Sequence, residues 1–295
     1  MRYLFPFCCW LLIAILNVCY AKHVVILGQQ TNEDTSHQYF KSLATLAIEK
    51  SKEDFPYQRV VTLGGQQTTQ GRSINLLKRD FVNLYWSGTN IEREQTLIPI
   101  KIPLFKGLLG YRMFIVREDN IDQFSDISPE ELKKKVACQG EHWPDSDILE
   151  ANGYEVLRVT RFDLMFKMLI LKRCDYFPRA IFEGYGEFEQ AKLTYPNLAV
   201  FDDTLLHYPF PIYFFTNEQH PALAKQIYYG LMKAHEDGSL EALMRNHTST
   251  LNIFPLDKWR NKNYIHLSND FLPDISNIEH STLWLKLYPQ HSIKR

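Results

Sequence analysis

Arg93 is the residue of this chain best placed to hold an anion. It stands three residues after Asn90 in the run Trp86-Ser87-Gly88-Thr89-Asn90-Ile91-Glu92-Arg93, behind an apolar segment, Val82 to Trp86, that reads as a strand. Asn is a good helix N-cap, so the turn that follows offers free backbone N–H groups and the positive end of a helix dipole. A carboxylate there would also meet a planar, permanently charged guanidinium that takes both oxygens at once, which Lys cannot do. The carboxyl end of a strand is where open α/β sheets bind their ligands. The alternative is an Arg93 paired with Glu92, Glu94 or another surface acid. Covalent chemistry has no such carrier. No G-x-S-x-G, phosphate-binding Gly-rich loop or H-E-x-x-H occurs, and Gly64-Gly65 lacks the Lys-Ser/Thr of a phosphate loop.

Composition narrows the class. At 295 residues with 45% hydrophobic content, the chain can bury a core and has length for about two domains. Its charged residues, 23% of the total, nearly cancel to a formal −1, which excludes a disordered solvating segment and a general nucleic-acid binder. Residues 1–21 stand apart. Arg2, an apolar run from Leu4 to Ile15, and Cys19-Tyr20-Ala21 ahead of Lys22 have the anatomy of a cleaved secretory signal peptide. That run, interrupted by Pro6 and followed by Asn17, falls short of the ~20 residues a membrane span needs. Val18 stands where a lipidation site at Cys19 would want a small residue. Cleavage leaves only Cys138 and Cys174, which either form a disulfide in an oxidising compartment or remain as two buried thiols. No Cys/His cluster has metal-binding spacing, so neither metal nor cofactor is expected.

The elements that must position Arg93 follow a strand–helix rhythm. His23 to Leu27 reads as a strand, Thr35 to Lys50 as a helix with Tyr39, Leu43, Leu46 and Ala47 on one face, and Arg59 to Leu63 as a second strand. A short helix, Arg72 to Arg79, then leads to the strand before Ser87. The rhythm restarts at Tyr111 to Val116. Ser128-Pro129-Glu130-Glu131 is a strong helix start, and strands follow at Val136 to Gln139, Glu155 to Val159 and Cys174 to Phe177. Between the last two, Phe162 to Lys172 reads as a buried helix, apolar nearly all round. Leu198 to Asp202 and Phe210 to Phe215 add strands, and Pro221 to about Asn246 a long helical tract broken near Asp237-Gly238. The remainder, from Thr250, reads as short helices and loops wrapping a surface.

In order and spacing these fragments resemble bacterial extracellular solute-binding proteins of the amino-acid-binding type (family 3), from about His23 to Asn246. The resemblance rests on Ser87 to Arg93 after its strand, on Gly110 to Val116, on Ser128 to Leu132 and on Val136 to Gly140. It also rests on Leu169 to Asp175, Pro209 to Phe215, and Leu231 to Leu243 with its Asp237-Gly238 turn. It implies an α/β, two-lobed periplasmic-binding-protein-like fold (type II), each lobe a mainly parallel sheet flanked by helices, joined by hinge strands. Residues 22–109 plus 208–295 would form lobe one and 110–207 lobe two. It further implies a periplasmic protein that captures a small carboxylate-bearing solute, an amino acid or a relative, by hinge closure. The implied partners are that solute and a membrane permease of the ABC type, or alternatively a membrane sensor. No nucleic acid is bound, and the protein acts as a monomer. An enzyme on the same fold, with Glu183 or His142 as general base, is the remaining alternative.

By the same resemblance Arg93, Thr89, Ser87, Trp86 and Tyr111 line the cleft from the first half of the chain. Gly140-Glu141-His142-Trp143 occupies the turn where the family offers a small hydroxyl residue. Here it brings an acid, an imidazole and an indole, so Trp143 either stacks on the ligand or packs between the lobes. The chain departs from the family after Asp175. Five residues on, where a carboxylate commonly holds the ligand's ammonium, stands Ala180, preceded by Arg179. Either Glu183 or Glu187 supplies the missing charge, or Arg179 faces the cleft as a second cation. The alternative for Arg179 is a structural bridge to Asp175 or Glu183.

Overall fold

The computed structural model describes residues 22–29, 34–64 and 68–287. The leader expected over residues 1–21 lies outside the described residues. Strands β1 (Lys22–Leu27) and β2 (Tyr57–Leu63) pair in parallel, joined by the crossover helix α1 (His37–Ser51). Tyr39, Phe40, Leu43, Ala44, Ala47 and Ile48 form the buried face of α1, the three-and-four spacing that a helix needs to cover a sheet. On that face α1 also meets α8 (Pro221–Glu236). A Cβ on Gly230 would overlap the Ala47 carbonyl, so the two helix backbones approach closely there.

The third strand, β3 (Tyr85–Gly88), is tied to β1 by a side chain. Asn83 accepts from Val25 N–H at 2.7 Å and donates to the His23 carbonyl at 3.0 Å. Between them runs α2 (Gln70–Lys78), whose Arg72 N–H is capped by the Thr69 hydroxyl. After α3 (Ile91–Thr96), β10 (Ile212–Thr216) inserts antiparallel between β3 and β4 (Ile98–Ile100). A strand from beyond residue 200 thus completes a sheet begun before residue 100.

The second sheet has six strands in the order β11-β9-β5-β8-β6-β7. These are β5 (Tyr111–Arg117), β6 (Val136–Gly140), β7 (Glu155–Val159), β8 (Tyr176–Ala180), β9 (Leu198–His207) and β11 (Asn263–His266). Helices α4 (Pro129–Lys133), α5 (Pro144–Ala151), α6 (Leu164–Ile170) and α7 (Gly184–Lys192) accompany them. Ser128 caps α4 with a full capping box, Glu131 reaching back to the Ser128 N–H. Helix α6 is shorter at both ends than the expected Phe162 to Lys172, and Leu171, just past its last turn, is 54% exposed. Cys138 on β6 and Cys174 ahead of β8 form a disulfide.

The chain passes between the lobes at two adjacent points. Tyr208 N–H donates to the Gly110 carbonyl at 3.2 Å, and a Cβ on Gly110 would overlap the Tyr208 oxygen, so only Gly lets these crossings touch. One segment departs from the expected partition. The sequence places residues 208–295 in lobe one, whereas β11 runs parallel to β9 and extends the second sheet. The tail then returns to the crossings. Leu285 N–H donates to the Lys106 carbonyl, and Leu287 N–H to the Tyr111 hydroxyl at 3.1 Å. Helix α9 (Ser239–Asn246) follows α8 through a left-handed Gly238 (φ 78°), the break expected at that turn.

Candidate functional site

A cavity of about 470 Å³ opens between the two lobes, with Phe40, Trp86 and Ser87 on one side and His142, Trp143 and Arg179 on the other. Its floor is a buried charge network. Arg112 follows the first crossing on β5 and is 1% exposed. Its Nε donates to the Tyr208 hydroxyl at 3.1 Å, and Nη2 lies 2.5 Å from Asp145 in the first turn of α5. Tyr208 in turn donates to Asp145 at 2.6 Å, so strand, helix and second crossing are bound into one triangle. Phe210 closes over the guanidinium, 5.6 Å from ring centre to Cζ. Arg112 Nη1 makes only a 3.7 Å approach to Glu183.

Beside it Arg179, at the end of β8, grips Glu187 of α7 with two hydrogen bonds of 2.5 Å. Its Nη2 is also 2.9 Å from Glu183. Trp143, Phe177 and Phe162 pack against its guanidinium at 4.9, 5.1 and 5.5 Å, which fixes the plane of the fork. Burial opposes the charge on both arginines, but Asp145, Tyr208 and Glu183 more than offset it at Arg112, and Glu183 and Glu187 do so at Arg179. Both stay firmly charged. The acids fare differently: burial outweighs their arginine neighbours, raising Glu183 and lifting Glu187 to about 7. Asp34, in the loop after β1, also lines the cavity and is raised by burial, with the Ser36 hydroxyl donating to it at 3.1 Å.

The expected site residues divide into two groups. Trp86, Ser87, His142, Trp143, Arg179 and Glu183 are all on the cavity wall. Trp86 stacks on Phe40 at 4.7 Å, and the His142 ring lies against Gly71. Trp143 packs on Arg179 and Phe177 within its own lobe, so it is a wall residue and not an interlobe wedge. Arg179 bridges to Glu183 and Glu187 while facing the cleft; Asp175, the other expected partner, accepts from Val136 N–H instead.

Arg93, Thr89 and Tyr111 are not brought to the wall. Arg93 lies behind it, its Nη1 donating to Ser87 Oγ and to the Gly88 carbonyl at 2.6 Å. Its Nη2 donates to Gln70 at 2.6 Å and, across the cleft, to the His142 carbonyl at 2.9 Å. All four acceptors are neutral, and burial lowers its pKa to about 10. Neither Glu92 nor Glu94 pairs with it; Thr89 donates to Glu94 at 2.8 Å and turns away from the cavity. Tyr111 points out of the opposite face of β5, its ring 4.4 Å from His207. Successive strand residues alternate faces, so Arg112 and not Tyr111 enters the cleft.

Sequence reasoning missed Arg112, Asp145, Tyr208 and Asp34. Arg112 does leave a signal, being the one charged residue within the run Leu108 to Val116. Among the described residues, no group of three or more His, Cys, Asp or Glu could hold a metal ion, and no helix is long and apolar enough to cross a membrane.

No protein-family model and no curated protein sequence matches the chain. Solved structures do. A Salmonella typhimurium periplasmic binding protein with high arginine specificity superposes with a TM-score of 0.57 at 12% identity, over 76% of this chain and 98% of its own. The GluR0 ligand-binding core from Nostoc punctiforme, in complex with L-glutamate, gives 0.52 at 17% identity, over 77% and 98%. A histidine kinase sensor domain with similarity to periplasmic binding proteins gives 0.54 at 17%, over 75% and 94%. The chain has the α/β, two-lobed fold of type II periplasmic-binding proteins.

Proposed function

We propose that this is an exported binding protein that captures a small carboxylate-bearing solute, an amino acid or a close relative, by closing two lobes over it without covalent chemistry. The lobes are 22–109 with 208–295, and 110–207, save that β11 packs with the second. The observation that carries the reading is the cavity itself: an aromatic-walled cleft between lobes, floored by fixed arginines and carboxylates, of the size that holds a small molecule. Within it, Arg112, whose Nη1 makes only a 3.7 Å approach to Glu183, is the guanidinium assigned to a ligand carboxylate. Ser87, Trp86, His142, Trp143, Arg179 and Glu183 complete the wall. Arg93 contributes from behind by joining the lobes at His142. The signal-peptide-like sequence of residues 1–21 supports a periplasmic location, and delivery of the bound form to an ABC-type permease fits that reading.

The likeness to a kinase sensor domain favours a second reading, in which the same closed form is delivered to a membrane sensor. Both readings share the cleft and one test. In a thermal-shift screen against amino acids, dicarboxylates, polyamines and sugars, a ligand of the closed form should stabilise by about 2.7 kcal/mol at a hundredfold excess over Kd. Shifts with sugars or polyamines alone, and with no carboxylate, would overturn the ligand class.

A further inference from the structure

We propose that residues 268–271 are a strap that limits how far the two lobes swing apart, so that the ligand-free cleft opens only at its mouth. The inference rests on the two-lobe reading of the cleft, and its test needs no ligand.

The crossings at Gly110 and Tyr208 touch, and a hinge of that kind turns on the few residues that absorb the backbone rotation. The tail adds a further link beside them. It leaves lobe one after α9 and reaches lobe two by Trp259, whose ring lies 6.5 Å from Tyr185 of α7. Strand β11 then holds it against β9, with Lys262 Nζ 2.9 Å from Asp202 and 3.0 Å from Asp203. At the end of α5, Asn152 clasps Ser268 in both directions, donating to its carbonyl at 2.9 Å and accepting its N–H at 3.2 Å. Three residues later the chain is fixed to lobe one, where the Phe271 carbonyl accepts from Ile91 N–H at 2.9 Å at the start of α3.

Beyond Phe271 the tail stays on lobe one. Ile278 packs against the cluster of Leu27, Leu77 and Phe215, and Trp284, 8% exposed, packs against Gly107. Pulling this anchor free would return large apolar side chains to water, so the hinge moves and the anchor does not. Between the two anchors lie only Asn269 and Asp270. Asn269 donates to the Pro209 carbonyl at 2.9 Å and accepts from Phe271 N–H at 3.3 Å, which coils the link against the second crossing. Fully drawn out, its three residues span about 10 Å. Opening therefore first breaks the Asn269 bonds and then meets a covalent stop. Arg93 and His142, which meet across the cleft, can part, while Ser268 and Phe271 remain within the reach of the strap.

Spin labels at Asn75→Cys and Lys167→Cys, exposed positions on the α2 and α6 helices that flank the cleft, read the lobe separation by pulsed electron resonance. The ligand-free protein should give one narrow distance distribution. Inserting Gly-Ser-Gly between Asp270 and Phe271 adds about 10 Å of reach and should broaden the distribution towards longer distances by several ångströms. Asn152→Ala, which loosens one anchor, should broaden it less, and it decides in place of the insertion if the longer chain fails to fold. A second population about 10 Å longer in the protein with its own strap, or a distribution that lengthening leaves unchanged, overturns the inference. Either result leaves the solute-binding reading to the thermal-shift screen, and a silent screen leaves the strap standing.

Discussion

Arg93 shows how a residue's chemistry can be read correctly and its job misplaced. A guanidinium behind an N-cap at a strand end is legible in the sequence, and the structure does use all that geometry, with Asn90 accepting from the Arg93 N–H at 2.9 Å. Its fork points at protein acceptors, including one on the other lobe. A hydrogen bond from a charged donor is worth about 1.5–3 kcal/mol, and this one exists only when the lobes meet. Arg93→Gln should therefore weaken ligand binding roughly tenfold or more, through closure and not through lost ligand contact. Calorimetry with the screened ligand checks the size, and scattering of the ligand-saturated variant should show a larger open fraction. Unchanged affinity would remove Arg93 from the closing mechanism. The missed anchor sits one residue beyond a predicted one. Tyr111 and Arg112 are neighbours on β5, and which of them faces the cleft depends on a register that only pairing with β8 and β9 sets.

At the scale of elements, the strands with continuous apolar runs were legible because burial on both faces writes itself into composition. Two short ones were not. Strand β4 is Ile98-Pro99-Ile100, and a Pro argues against any strand except one at an edge, which is where it lies. Strand β11, Asn263–His266, sits in a polar and aromatic tail and gains its place by pairing with β9. The cysteines illustrate the same limit. Composition leaves a disulfide and two thiols equally open, and proximity decides: their Cα atoms are 5.6 Å apart across a separation of 36 residues. Closing a loop of that length restrains the unfolded chain by about 4 kcal/mol in the chain-entropy picture. Reduction with a thiol, or the Cys138→Ala/Cys174→Ala pair, should lower the melting temperature by roughly 10 °C while leaving the ligand specificity unchanged. A melting temperature indifferent to reductant would mean the link contributes little.

For the whole molecule, the cavity concentrates opposing demands. Folding buries Glu187 beside Arg179, yet desolvation wins, lifting its pKa from 4.5 to about 7. A carboxyl raised in the folded state binds more protons there than in the unfolded chain. Its stabilising contribution is therefore complete below about pH 4.5 and is lost as the pH climbs through 7. His207 runs the other way. Burial lowers it to about 3, so its contribution is present above its ordinary 6.5 and fades on acidification. The net curve mixes these, but the Glu187 share is isolated by comparing the protein with Glu187→Gln, which cannot ionise. Relative to that variant, the ligand-free protein should lose about 3 kcal/mol of stability between pH 5 and pH 8, several degrees in melting temperature. Melting curves of the two proteins at the two pH values supply the comparison. Parallel pH profiles for the protein and the variant would show that Glu187 titrates normally, and that Arg179 alone offsets its burial.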